Sequence, residues 1–166
     1  MPIVFSGAGR FIAAACLLFA TVAESRDLAP ADRAVLEGLV VRSDAAWNER
    51  DAAALADLYA GDATLRVGSR EQTLIGAAAI RDYFSESLAR TPPDLRHETT
   101  LIGLHVLDAD VVIADTTVEL ISPAPDGSRH VVRRFTTPTI VVRSGREWKL
   151  GAVRAQVIPE PKPARG

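Results

Sequence analysis

Along the first third of the chain apolar and polar positions recur at three- and four-residue steps. Leu36, Leu39, Val40, Ser43 and Trp47 form one stripe, which predicts a helix with Asp32 as its N-cap. The polar Asn48-Glu49-Arg50 interrupts the stripe, and Asp51 is placed to cap a second, shorter helix whose inward face is Leu55, Leu58 and Tyr59. Gly61 is expected to end that helix in the left-handed conformation. Ala63 to Val67 reads as a short strand closed by Gly68-Ser69. A third helix should follow Gly76, with Ile80, Tyr83, Phe84 and Leu88 on one face and Pro92-Pro93 as its stop.

The pattern then changes period. His97–Leu107, Val111–Ile121, His130–Arg143 and Glu147–Ile158 are rich in Val, Ile and Thr, and turn-formers separate them: Asp108-Ala109-Asp110, the loop SPAPDGS and Ser144-Gly145. Such strands form an antiparallel meander. Helices first and a meander second predict an α+β domain, a cone-shaped, strongly bent antiparallel sheet packed against three N-terminal helices. A bent sheet closed on one side by helices encloses a conical pocket suited to a small molecule.

The ends of the chain follow other rules. Phe11–Ala23 is an apolar run, too short to span a bilayer comfortably, with small residues at Thr21 and Ala23 and an abrupt polar turn at Glu24. Residues 1–23 therefore read as a removable export signal, the alternative being an uncleaved membrane anchor. Residues 24–31 then form a linker, 32–158 the domain and 159–166 a flexible tail. Cys16 is the only cysteine, so a cleaved chain has no thiol for disulfides, metal ligation or nucleophilic attack, as suits a secreted or periplasmic protein. Balanced charge, with 19 basic and 21 acidic residues and no basic stripe, argues against a nucleic-acid partner. After signal removal nothing points to a membrane.

The order and spacing of WNERDAAALADLYAGDATL, GAAAIRDYF and GREWKLGAVRAQ resemble the nuclear transport factor 2-like superfamily, in its SnoaL-like branch, over residues 32–158. The resemblance implies a cone of bent sheet, often dimeric through the sheet's outer face. The superfamily hosts ketosteroid isomerases, polyketide cyclases, epoxide hydrolases and members that only bind. Set against ketosteroid isomerases, the general-base aspartate falls on Val67, the oxyanion-hole tyrosine on Ser43 and the protonated pocket aspartate near Thr139. A valine cannot take a proton, so the resemblance is to that scaffold without its chemistry.

Strand alternation nominates the side chains that line the pocket. With Lys149 facing water, Trp148, Leu150, Ala152, Arg154 and Gln156 should face inward. His97, Leu101, His105 and Leu107 share one face of their strand. His105 is a candidate general base or a hydrogen-bonded wall residue. His97 and His105 lie roughly 26 Å apart along an extended strand, too far to share a metal, and no metal-binding motif or cofactor signature is present. Asp115 and Glu119 point outward in the simple reading, or into the cone as partners of Arg134 or Arg154 in the sharper one, where Asp115 becomes a second candidate base. Trp47, Tyr59, Tyr83 and Phe84 should meet at the cavity, either as core aromatics or as ligand contacts.

The expected function is therefore an exported single-domain binder of a small, largely apolar molecule, oriented by Tyr59, Tyr83, His105 and Arg154. The alternative is an isomerase, cyclase or hydratase with a pocket His or Asp as base. A third reading makes the outer sheet face an assembly surface, with Val131, Phe135 and Val141 exposed and a homodimer as the consequence.

Overall fold

A computed structural model describes residues 27–69, 72–124 and 126–159. The proposed export signal and all but Pro159 of the tail lie outside these residues. Helix α1 spans Pro30–Asn48, α2 Ala52–Asp57 and α3 Ala77–Arg90. The strands are β1 Tyr59–Val67, β2 Leu74–Ile75, β3 Arg96–Asp108, β4 Val111–Pro123, β5 Arg129–Ser144 and β6 Glu147–Val157.

Local chemistry accounts for most of the boundaries. Proline at the first helical position suits α1, because its missing N–H would have no helical partner there. The helix thus starts at Pro30, and Asp32 is not its cap. The Asp32 carboxylate instead accepts hydrogen bonds from Trp148 Nε1 at 2.8 Å and Arg143 Nη2 at 2.9 Å, tying the helix to the far end of the sheet. Asp51 does cap α2, accepting the Ala54 N–H at 2.8 Å. Gly61 is not a helix terminator: α2 stops at Asp57, and Tyr59 already begins β1. Arg50 carries the left-handed residue of this region, with φ 61°, at the turn between α1 and α2.

The six strands form one curled, open sheet in the order β2-β1-β6-β5-β4-β3. Strands β3 to β6 make the expected antiparallel meander, but β1 runs parallel to β6, so the sheet is mixed. The reason is topological: α3 carries the chain from the β1–β2 edge of the sheet across to β3 at the other. The main core joins Leu36 and Leu39 of α1 to Leu65, Ile80, Val112, Val141 and Trp148, while Ala46, Leu55 and Leu88 knit the helices together. Three faces that are apolar in sequence thus close over one another.

Candidate functional site

Helices and sheet enclose a cavity of about 320 Å³. Leu36, Leu39, Val40, Ser43 and Trp47 reach it from α1, and Tyr83, Phe84 and Ser87 from α3. Across from them β4 contributes Ala114, Thr116, Val118 and Leu120, and β5 contributes Arg133, Phe135, Thr137, Thr139 and Val141. Of the residues expected to bind a ligand, Trp47, Tyr59, Tyr83 and Phe84 are brought together on this wall. Phe84 lies between the two tyrosines, with ring centroids 6.1 Å from Tyr59 and 5.4 Å from Tyr83. Burial pushes the Tyr59 phenol well above the ordinary tyrosine range, so it stays a neutral hydroxyl.

The other nominated residues lie elsewhere. In β6 the pairs Val141↔Leu150 and Ile140↔Ala152 leave Gly151 unpaired, a bulge that reverses the alternation. Leu150 lines the cavity as expected and Trp148 is buried in the core, but beyond Gly151 it is Val153 and Ala155 that line the cavity. Arg154 turns to the other face and donates to the Thr64 hydroxyl at 3.0 Å, and Gln156 is exposed. In β3 Ile102 is unpaired between Leu101↔Thr116 and Gly103↔Asp115. This second bulge sends His105 outward, where its side chain is 66% exposed and 3.3 Å from Asp115, itself 44% exposed. His105 and Asp115 are therefore not pocket bases. Glu119 also faces outward, paired with Arg134 and Arg129 on the outer surface.

The histidine that does face the cavity is His97, which precedes the β3 bulge. Its Nδ1 lies 2.7 Å from Asp44 Oδ1, and its ring stacks on Trp47 with centroids 5.2 Å apart. Asp44 also accepts the Thr99 N–H at 2.9 Å and the Thr99 hydroxyl at 2.6 Å. Asn48 clamps the His97 backbone from both sides, accepting its N–H at 2.8 Å and donating to its carbonyl at 2.9 Å. Burial raises the Asp44 pKa, but the hydrogen bonds from His97 and Thr99 outweigh it and hold the carboxyl below the ordinary carboxylate range. The Asp44 carboxylate holds the His97 ring through Nδ1, and that ring lines the cavity. Sequence reading missed this pair because Asp44 lies 53 residues away, on a helix face flanking the apolar stripe. Its one local signal was Asp44, Trp47 and Asn48 at helical spacing.

The model of the SnoaL-like domain family matches residues 40–149, from the second half of α1 to the start of β6. The chain belongs to the SnoaL-like family. Its fold is that of the nuclear transport factor 2-like superfamily. A nuclear transport factor 2-like protein with a cystatin-like fold from Novosphingobium aromaticivorans is 18% identical, with TM-score 0.68 over 77% of this chain and 82% of the other. A Catenulispora acidiphila protein, solved in complex with S-DNPA, is 20% identical with TM-score 0.64 over 76% and 93% of the two chains. A ketosteroid isomerase-like protein from Erwinia carotovora atroseptica is 16% identical with TM-score 0.61 over 76% and 96%. No curated protein sequence matches.

As a SnoaL-like cone this one has its own inventory. Val67, Ser43 and Thr139, the positions equated with ketosteroid isomerase base and donors, all line the cavity. The scaffold thus brings the three positions to the pocket, and their side chains supply no carboxyl and no phenol. Among the described residues no cluster of three His, Cys, Asp or Glu is placed to hold a metal, and no helix is long and apolar enough to cross a membrane.

Proposed function

We propose that this SnoaL-like protein takes a small, largely apolar molecule into the cone. The observation that carries the reading is the 320 Å³ cavity, whose wall is mostly Leu, Val and aromatic side chains interrupted by a few polar groups. The Catenulispora relative, solved with S-DNPA, lends support at the level of fold. Native mass spectrometry of the protein purified from its own source tests it: one small molecule per chain is expected. A protein that arrives empty and retains no apolar compound from a cell extract overturns it.

A second reading is favoured by the His97–Asp44 pair. Oriented by the carboxylate, the imidazole is built as a general base, which makes this chain an isomerase, cyclase or hydratase. The base is then His97 and not the exposed His105. His97→Gln should retain the ligand and lose turnover by about a hundredfold or more. Undiminished turnover in that variant rules out the base.

Export belongs to the same proposal. Cleavage ahead of Glu24 would deliver a thiol-free domain to the periplasm or medium, and N-terminal sequencing should find Glu24 first; Met1 on the exported protein would refute it. Pairing of two copies through the outer sheet face rests on different residues from those first expected. Phe135 and Val141 are 7% and 2% exposed and belong to the cavity wall, whereas Ile102 and Ile140 stand out on the outer face at 66% and 41%. Light scattering should show a dimer.

A further inference from the structure

We propose that the molecule received by the cone carries a carboxylate, and that Arg133 anchors it at the mouth with the apolar body directed inward. This rests on the cone being a ligand pocket, as proposed above. Arg133 is exposed yet lines both the main cavity and a second groove beside Val67, Tyr83 and Val157. It therefore stands where the cavity meets solvent.

Its neighbours are committed elsewhere. Arg129 and Arg134 share Glu119 on the outer face, Arg143 holds Asp32 and Asp110, and Arg154 is bonded to Thr64. Among the described residues the Arg133 side chain has neither an ion pair nor a hydrogen bond. Among the described residues the wall it joins contains no Asp and no Glu, and the one charged side chain on it is Arg133. A guanidinium with no protein partner beside an apolar wall favours a planar anion, to which it can donate two parallel hydrogen bonds.

The sheet register sets where the rest of the molecule lies. Leu120 pairs with His97 on one side and with Arg133 on the other, and all three side chains line the cavity. Two strand spacings separate the His97 and Arg133 backbones by roughly 10 Å. A carboxylate on Arg133 thus brings the first atoms of the apolar body past Leu120 and toward the imidazole. The ligand class is an amphipathic carboxylic acid, held by its head at the rim.

The test compares acids with their neutral amides of equal shape: naphthoate with naphthamide, and decanoate with decanamide, titrated calorimetrically into the full chain and into Arg133→Gln and Arg133→Lys. Each acid should bind about tenfold or more tightly than its amide. Arg133→Gln should erase that preference by weakening the acid alone, Arg133→Lys should keep part of it, and added salt should shrink it. Unchanged amide binding shows that the Gln variant is folded. Equal binding of acid and amide, or a preference indifferent to Arg133→Gln, overturns the anchor and leaves the cone as a pocket. Binding of neither member of either pair overturns the anchor and the pocket reading together.

Discussion

Asp44 carries more structure than any other single polar side chain of the site. One carboxylate orients the His97 ring, takes two hydrogen bonds from Thr99 and so joins the middle of α1 to the start of β3. Removing it leaves three partly buried donors without their acceptor, and Asp44→Ala should cost about 2–4 kcal/mol of stability by denaturant unfolding. The pH dependence has a definite sign. Folding holds the Asp44 pKa below its unfolded value, so this contribution is complete above the ordinary carboxylate range and disappears as pH falls through the depressed value. Melting temperature should therefore drop as pH falls below about 5, and Asp44→Asn should flatten part of that slope. An identical slope in the variant would place the acid sensitivity at other carboxylates, such as Glu119, whose pKa the Arg134 hydrogen bond lowers.

At the scale of elements, the turn between α1 and α2 and the end of α3 are one device. Arg50 sits at φ 61°, a conformation that costs a non-glycine residue about 1 kcal/mol or more. The strain is offset because its guanidinium donates to the carbonyls of Leu88 at 2.7 Å, Thr91 at 3.2 Å and Pro92 at 2.5 Å, at and just beyond the end of α3. Arg50→Ala keeps the strain and loses the bonds, whereas Arg50→Gly loses the bonds and relieves the strain. Both should destabilise, the alanine variant by about 1 kcal/mol more. Equal melting temperatures for the two would show that backbone strain is not stored there. The bulges at Ile102 and Gly151 act at the same scale, since each decides which set of alternating side chains enters the cone.

For the molecule as a whole, the curled sheet separates two chemistries. Its inner face holds one histidine, one arginine and apolar or hydroxyl side chains; its outer face holds the ion pairs of Glu98, Glu119, Arg129 and Arg134 and the His105–Asp115 contact. His105→Ala with Asp115→Ala should accordingly leave ligand retention unchanged, within about twofold, because both are solvated on the outside. Loss of retention in that double variant would mean that the outer face, through assembly, controls the pocket.

The sequence by itself determined the three helices, the four long strands and their order, and with them the cone. Hydrophobic period, caps and turn residues are local, and each could be read within a dozen residues of where it acts. It also determined that the aromatics of the helices share the cavity, because Trp47, Tyr83 and Phe84 sit on apolar stripes that can only turn inward. Tertiary structure decided which strand residues join them. A bulge is one extra residue chosen by the neighbouring strand's register, so nothing within β3 or β6 announced that Arg154, Gln156 and His105 would face away. It decided also that Asp44 and His97 would meet, since a contact across 53 residues exists only once α1 has packed over the sheet.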